Sequence, residues 1–147
     1  MVSTVIKNWD NKTWLSSKNY ILNFNNFLTK ANKLDSNSQI LDIGCGRGKI
    51  IGSLSSKLKL RVKPIGIDLV YHKDKDKRID FKKIDAISFF SINKKKFDLI
   101  LIKQTIHLLK MSEIKNLLIK MKKSLKPNGK ILIFTLKTHN NEIPNFK

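Results

Sequence analysis

The chain has 147 residues, 41% of them hydrophobic, which fits one globular domain with its own core and excludes a disordered chain. Its formal net charge is +19, but three of its 30 basic residues are arginine and the rest lysine, which favours a solvated basic surface over a specific nucleic-acid site. The single cysteine excludes an internal disulfide, and neither a signal peptide nor an apolar run of membrane-spanning length is recognisable, so we expect a cytoplasmic protein without a membrane segment.

An amphipathic helix is predicted near the start of the chain, because apolar side chains recur at helical spacing after Lys18. This stripe consists of Tyr20, Ile21, Phe24, Phe27, Leu28 and Ala31. Such a stripe most simply packs on a sheet or on a neighbouring helix. The polar run 35–38 then forms the turn into the first strand.

The most informative stretch is residues 40–48, which read Ile-Leu-Asp-Ile-Gly-Cys-Gly-Arg-Gly. An apolar run, three glycines at alternate positions and a helical pattern predict a strand, a tight loop and a helix. Glycine allows positive φ and lets the backbone approach a ligand beside the free N–H groups of the helix that follows. The dinucleotide fingerprint is excluded because its third small residue would fall at Lys49, and a phosphate-binding P-loop is absent. A glycine-rich turn without a ligand is the alternative interpretation.

Two short strands that end in acids are predicted next. Residues 64–70 form a buried apolar run containing Asp68, and an acid at the carboxyl end of a second strand faces the crevice where ribose hydroxyls can bind. The alternative role of this acid is to cap the following turn. The connection 71–80 alternates in charge and is expected to be a solvated loop. Residues 81–86 are expected to form the third strand, which ends at the acid Asp85.

The last part of the chain predicts two more strands around a helix. Residues 97–102 form a continuous apolar run, which is typical of a strand covered on both faces. A helix capped by Ser112 follows. The buried face of this helix is expected to comprise Ile114, Leu117, Leu118, Met121 and Leu125. Residues 127–129 form a turn before a fifth strand over 130–136.

These motifs together resemble the class I S-adenosylmethionine-dependent methyltransferases. The matching features, in order, are Asp-x-Gly-x-Gly-x-Gly, an acid after each of the second and third strands, Phe-Asp followed by a His, and Pro-Asn-Gly before the fifth strand. The resemblance implies a Rossmann-like α/β fold with a doubly wound, mostly parallel sheet of about five strands in the order 3-2-1-4-5 and helices on both faces. It also implies that the sixth and seventh strands of the family are missing from this sequence.

The resemblance suggests a division of the chain. We expect an N-terminal helical cap over 1–38, a domain that binds S-adenosylmethionine over 39–137, and a tail over 138–147 that is a candidate truncation point. Trp14 and Tyr20 would then lie over the cofactor, as N-terminal lids do in related methyltransferases. This lid is the second interpretation of the aromatic residues near the start of the chain.

The cofactor implied by the resemblance is S-adenosylmethionine, and no metal site is expected. In the family the glycine loop wraps the methionyl end, one acid holds the ribose hydroxyls and another accepts a hydrogen bond from the adenine amino group. At the matching positions, the implied cofactor-binding residues are Asp42, Gly44, Cys45, Gly46, Gly48, Asp68, Leu69, Asp85 and Ala86. His107 matches a histidine after the family's fourth strand, and it is either a general base or a polar residue that orders the loop.

We expect methyl transfer to a small-molecule acceptor by direct in-line displacement. Three alternatives stay open: a nucleic-acid methyltransferase, whose Asn/Asp-Pro-Pro-Tyr motif is absent after the fourth strand; a truncated module that binds the cofactor without catalysis; and an NAD enzyme, which the glycine spacing disfavours. An apolar fifth strand with no strand after it leaves an unpaired edge, so we expect a homodimer or a missing C-terminal segment to cover it.

Overall fold

A computed structural model describes residues 18–103 and 105–135, and at His107 the backbone alone. In chain order the elements are α1 (Lys18–Asn32), β1 (Ile40–Ile43), α2 (Lys49–Leu58), β2 (Ile65–Asp68), β3 (Asp80–Lys83), α3 (Ala86–Ile92), β4 (Phe97–Lys103), a short 3-10 helix (Ile106–Leu108), α4 (Met111–Lys123) and β5 (Leu125–Phe134). The strand order is β3-β2-β1-β4-β5, and each of these pairings is parallel. The predicted Rossmann-like order is therefore confirmed.

Apolar side chains leave both faces of the central strands and form two cores. Along β4, Leu99 and Leu101 belong to the core beneath α1 and α2, whereas Ile100 and Ile102 belong to the core beneath α3 and α4. All four side chains are fully buried. This burial on both faces explains why the strand is a continuous apolar run, because a central parallel strand has no face in contact with water.

Helix α1 is built into the first of these cores. Phe24 is buried, and the side-chain amide of Asn25 donates a hydrogen bond to the Ile50 carbonyl oxygen of α2 at 3.2 Å. The ring centroids of Phe24 and Phe134, in β5, are 4.8 Å apart in an edge-to-face arrangement. The stripe of α1 thus packs on a helix and on the sheet, the simpler of its two interpretations. Trp14 lies outside the described residues.

One carboxylate ties three strands together at the amino end of the sheet. Asp98, the second residue of β4, accepts hydrogen bonds through Oδ2 from the Gln39 backbone N–H at 2.6 Å and from the Lys126 ammonium at 2.7 Å. Gln39 directly precedes β1, and Lys126 lies in β5. The register of β1, β4 and β5 is therefore fixed at the end of the sheet opposite to the glycine loop.

The third strand is shorter than predicted. Strand β3 ends at Lys83, and Asp85 and Ala86 begin helix α3 instead of ending the strand. The physical reason is the side chain of Asp85, whose Oδ1 accepts a hydrogen bond from the Ser88 backbone N–H at 2.9 Å. This is an N-cap interaction, which satisfies a free donor in the first turn and starts the helix at this point.

Helix α4 begins earlier than predicted and buries a narrower face. Its N-cap residue is Lys110, whose backbone N–H donates to the Glu113 carboxylate at 2.7 Å, so the predicted cap at Ser112 is wrong. Leu117 is buried, but Leu118 is 36% exposed and does not belong to the buried face. Among residues 18–103 and 105–135, no helix is both long enough and apolar enough to cross a membrane.

Strand β5 contains the turn that was predicted to precede it. Leu125 pairs with Phe97 and so belongs to the strand, not to the helix before it. Regular pairing resumes between Lys130 and Leu99, which makes residues 127–129 an irregularity inside β5. The Pro-Asn-Gly sequence thus lies within the strand, where the register with β4 shifts between Phe97 and Leu99.

Candidate cofactor-binding site

The carboxyl end of β1 runs into a loop whose backbone conformation favours glycine. Gly44, Gly46 and Gly48 all have positive φ, at 72°, 55° and 71°. The N–H groups of Gly44 and Cys45 both donate to the Ile67 carbonyl oxygen of β2, at 2.8 and 3.0 Å. The first turn of the loop is therefore anchored to the neighbouring strand, and the last glycine leads directly into α2.

The segment after β4 packs against this loop. A Cβ at Gly44 would lie 2.1 Å from Oγ1 of Thr105, so the close approach requires glycine. The Thr105 hydroxyl donates to the Lys103 carbonyl oxygen at 3.1 Å. Thr105 thus borders the candidate site, although the sequence did not single it out. The signal that could have found it is the polar segment after the fourth strand, in which a functional role is predicted for His107 alone.

Asp68 joins two loops at the end of β2. Its Oδ2 accepts a hydrogen bond from the Gly46 N–H at 2.8 Å, and its Oδ1 accepts one from the Val70 N–H at 2.9 Å. The second bond is the turn-capping role given above as the alternative, and the first ties the carboxylate to the glycine loop. Two carboxylate oxygens offer about four acceptor positions, so Asp68 keeps capacity for the hydroxyl groups of a ligand.

The residues after β2 and β3 lie at the same edge of the sheet. The Ile84 N–H donates to the Asp68 carbonyl oxygen at 3.0 Å, which brings the end of β3 beside the end of β2. Leu69 is 54% exposed there. The hydrogen bond from Ser88 holds the pKa of Asp85 below its ordinary value, so this carboxylate is ionised at neutral pH.

Three further predicted residues are more enclosed. Asp42 is buried, and alternation along β1 turns its side chain toward the face that carries α1 and α2. Cys45 is partly exposed, its Sγ donates to the Gly46 carbonyl oxygen at 3.4 Å, and a Cβ at Gly66 would lie 2.7 Å from that sulfur. Ala86 packs at the margin of the second core. The topology thus brings all nine predicted cofactor-binding residues to one edge of the sheet, where their contact with a ligand stays a prediction.

Tyr20 and Lys103 border this edge on the side of β4. The Lys103 ammonium lies 5.2 Å from the ring centroid of Tyr20 and 6.0 Å from that of Phe24, within the range of cation–π attraction. Tyr20 stacks on Phe24 at 5.7 Å, and burial raises the pKa of its hydroxyl. The backbone of His107 lies in the 3-10 helix after β4, so its role as a base stays a prediction.

The connection between β2 and β3 is only partly the solvated loop that its charges predict: residues such as Lys73 and Lys77 are exposed, but its second half also makes inward contacts. The Asp76 side chain is 7% exposed and lies 2.6 Å from the guanidinium of Arg78. The Asp76 N–H donates to the Arg47 carbonyl oxygen at 2.8 Å. Ile79 is buried, with Cδ1 2.2 Å from the place where a Cβ of Gly48 would be. This connection therefore packs against the glycine loop and the start of α2.

Comparison with known proteins assigns the chain to a family. Residues 40–129 match the model of a family described as "Methyltransferase domain". The match begins at the first residue of β1 and ends within β5, so it contains the glycine loop, Asp68 and Asp85. The chain belongs to this methyltransferase-domain family. No curated protein sequence matches it.

Solved structures of methyltransferases share the fold of this domain. The plantazolicin methyltransferase BpumL, in complex with a pentazolic desmethylPZN analog and SAH, is similar with a TM-score of 0.65 and 26% identity, covering 88% of this chain and 51% of that chain. The N-methyltransferase NodS from Bradyrhizobium japonicum WM9, in complex with S-adenosyl-L-homocysteine, gives 0.64 and 21%, covering 84% and 66%. A 1,6-didemethyltoxoflavin-N1-methyltransferase from Burkholderia thailandensis gives 0.66 and 17%, covering 88% and 57%.

These findings confirm the predicted family and fold. The structural neighbours carry S-adenosylhomocysteine, so S-adenosylmethionine is the cofactor of the class I fold that the methyltransferase domain adopts. The domain spans 51% to 66% of the three neighbouring chains.

Proposed function

We propose that this methyltransferase domain binds S-adenosylmethionine at the carboxyl ends of β1, β2 and β3 and transfers its methyl group to a small-molecule acceptor. One observation carries the proposal: a loop of three positive-φ glycines is bonded through Gly46 to Asp68, an acid that keeps acceptor positions for a ligand. Both the loop and Asp68 lie at the carboxyl edge of the sheet beside the switch point between β1 and β4, and ligands of open α/β folds bind in the crevice at such a point.

The residues present fit the chemistry of the proposed cofactor. Its ribose has two hydroxyl donors, which suit the two oxygens of Asp68, and its adenine amino group suits the ionised Asp85. The exposed Leu69 offers an apolar surface for the adenine ring. The methionyl end carries no phosphate, which agrees with a glycine spacing that lacks the dinucleotide and P-loop patterns.

The domain is proposed to act by positioning. When bound, S-adenosylmethionine would supply an electrophilic methyl group on a positively charged sulfur, open to in-line attack by a lone pair of the acceptor with neutral S-adenosylhomocysteine as the leaving group. Asp68 and the glycine loop hold and orient one reactant, and Thr105 packs against Gly44 so that little space for water is left between the segments after β1 and β4. A base is needed where the acceptor must lose a proton, and His107 is the candidate for that role.

The acceptor is proposed to approach from the side of β4. Lys103 and Tyr20 border this side with a cation and an aromatic ring, which suits a small polar molecule. A neighbouring structure is named for the methylation of 1,6-didemethyltoxoflavin, which supports an acceptor of this size. Trp14 and Tyr20 remain proposed lid residues.

Calorimetric titration of the chain with S-adenosylmethionine, S-adenosylhomocysteine and NAD tests the proposal. We expect the first two to bind and NAD not to bind. A folded chain that binds neither sulfur compound would contradict the proposal, and binding of NAD would favour the dinucleotide alternative. Filter binding of RNA at low and high salt separates the nucleic-acid alternative, because phosphate contacts give a steep salt dependence.

A further inference from the structure

Residues 74–79, which we call the strap, contact the last part of the glycine loop at several points. Arg47 is held twice: its Nε lies 3.2 Å from a carboxylate oxygen of Asp74, and its carbonyl oxygen accepts from the Asp76 N–H at 2.8 Å. Ile79, at the other end of the strap, occupies the space beside Gly48. The strap therefore touches the two loop residues that lead into α2.

The carboxylate of Asp76 fills a space that exists because residue 52 is glycine. A Cβ at Gly52 would lie 2.4 Å from Cγ of Asp76 and 2.5 and 2.7 Å from its two oxygens. On its other side this carboxylate accepts from Nε and Nη2 of Arg78, at 2.8 and 2.6 Å. Arg78 also donates through Nη1 to Oγ of Ser56, one turn further along α2, at 2.9 Å. The strap is thus clamped to the first two turns of the helix.

We propose that Asp76 is a positioning residue, which holds the glycine loop ready for the cofactor by docking against Gly52 and bonding to Arg47. The inference rests on the proposed function for the identity of the ligand. Its physical basis is entropic. A loop with three glycines has more backbone freedom to lose than other loops, and a neighbouring segment that fixes it in advance lowers the cost of ordering it on binding.

The single cysteine of the chain provides a readout that does not depend on the cofactor. Cys45 lies inside the glycine loop, where it packs against the first core and its Sγ donates to the Gly46 carbonyl oxygen at 3.4 Å. The rate at which an alkylating reagent labels Cys45 therefore reports how often the loop opens. The second readout is the dissociation constant of S-adenosylhomocysteine, and the third is the melting temperature of each variant.

Asp76→Ala is compared with Asp80→Ala, a control with the same change of charge. Asp80 is half exposed and pairs with Lys82 at 3.3 Å. In the Asp76→Ala variant we expect the rate of Cys45 labelling to rise about three- to tenfold, since a partly exposed charged hydrogen bond is lost. The affinity for S-adenosylhomocysteine should fall by about the same factor. Asp80→Ala should stay within about twofold of the wild type in both readouts. Asp76→Asn keeps the shape of the side chain and an acceptor for Arg78. Its labelling rate and its affinity should therefore lie between those of the wild type and of Asp76→Ala.

A second variant reaches the same contact from the opposite side. Gly52→Ala places a methyl group against the carboxylate and should speed the labelling of Cys45 as Asp76→Ala does. In the double variant the methyl group meets none of those carboxylate atoms, so labelling should be no faster than in Asp76→Ala alone. If Asp76→Ala does not fold, the labelling rates and affinities of Gly52→Ala and Asp76→Asn test the proposal instead.

Wild-type rates and affinity in a folded Asp76→Ala variant would overturn the proposal. A lower melting temperature with both other readouts unchanged would also overturn it, because the strap would then be structural. If the wild type does not bind S-adenosylhomocysteine, the proposed function fails, and the labelling of Cys45 still decides whether Asp76 positions the loop.

Discussion

The carboxyl edge of the sheet has two halves that are built differently. Beside β1 and β2, backbone N–H groups of the glycine loop donate to the Ile67 carbonyl oxygen and to the Asp68 carboxylate, and Ile79 packs against the end of the loop. Beside β4 and β5, the contacts come from side chains, such as the stack of Tyr20 beneath Lys103, and Ile133 is 41% exposed. Substitutions in the first half should therefore damage binding and folding together, whereas those in the second half should leave the fold intact.

The largest effect is expected where the backbone itself is constrained. Gly44→Ala must adopt a φ of 72° and places a methyl group against Thr105. We expect a loss of about 2–4 kcal/mol in the free energy of unfolding, with no measurable binding of S-adenosylhomocysteine. Urea denaturation and calorimetry measure the two quantities.

Thr105→Ala in the Gly44→Ala background separates the two causes. This double variant removes Oγ1 and Cγ2 of Thr105 but leaves its Cβ, 2.9 Å from the added methyl group, and the strained φ. Part of the lost stability should therefore return. A Gly44→Ala single variant that melts and binds like the wild type would show that the first half is not fixed by its backbone.

The next largest effect is expected at Asp68. Asp68→Ala removes the acceptor of the Gly46 and Val70 N–H groups together with the proposed ribose contact. Affinity for S-adenosylhomocysteine should fall about 10- to 100-fold, because a hydrogen bond to a charged group contributes about 1.5–3 kcal/mol. Calorimetry measures the change beside Asp80→Ala as the charge-matched control. Unchanged affinity would remove Asp68 from the site.

A smaller effect is expected at Asp85, at the margin of the first half. Asp85→Ala removes the N-cap of α3 and should lower the free energy of unfolding by about 1 kcal/mol at pH 7. Because the folded state lowers the pKa of this carboxyl, the stabilisation is present above its unfolded pKa and is lost as pH falls through the folded value. Denaturation at pH 7 and near pH 3 checks this, and a difference between variant and wild type that does not shrink in acid would contradict it.

The smallest effect on stability is expected at the edge of β5. Ile133→Lys replaces a side chain that is already 41% exposed, so the free energy of unfolding should change by less than about 1 kcal/mol. The substitution should instead change self-association. The wild type should self-associate as its concentration rises, and the variant should remain a monomer. Ile119→Lys is the control, since Ile119 is 57% exposed and lies on helix α4 instead of on the edge strand.

Light scattering coupled to size exclusion, at moderate salt because of the basic surface, measures this association. A monomeric wild type over about a tenfold range of concentration would show that the edge is covered in another way. The β4–β5 side of the sheet would then need no partner to cover its edge.

The sequence predicted most of the fold because the signals are local. The apolar runs of β1, β2 and β4 and the glycine loop are continuous stretches that predict the elements, and the strand order was implied by the resemblance of the motifs to the methyltransferase family. The course of the strap could not be predicted, because alternating charges carry no information about burial. The Asp76 side chain is covered by Arg78 and fits into the space beside Gly52, a residue of helix α2.

The candidate site also contains some residues that local sequence patterns predict and others that only the folded structure brings together. Asp68 and the glycines follow from one spacing in the sequence, whereas Thr105 reaches the loop through a contact between distant parts of the chain. The end of β3 was misplaced because the sequence does not tell an acid that ends a strand from one that caps a helix, and the bond from Ser88 decides for the cap. The roles of the nine cofactor-binding residues and of His107 stay predictions.

The bond between Gln39 and Asp98 has a consequence for how the protein is made. It joins residues 59 positions apart, at the junction where β1 pairs with β4. A ribosome that adds about 5–20 residues per second needs roughly 3–12 s to cover this distance. During that time β1 can pair with β2 but not with β4, and one edge of an apolar strand is open to other nascent chains. The yield of folded protein should therefore depend on the speed of translation between residues 44 and 97, whatever the stability of the finished domain.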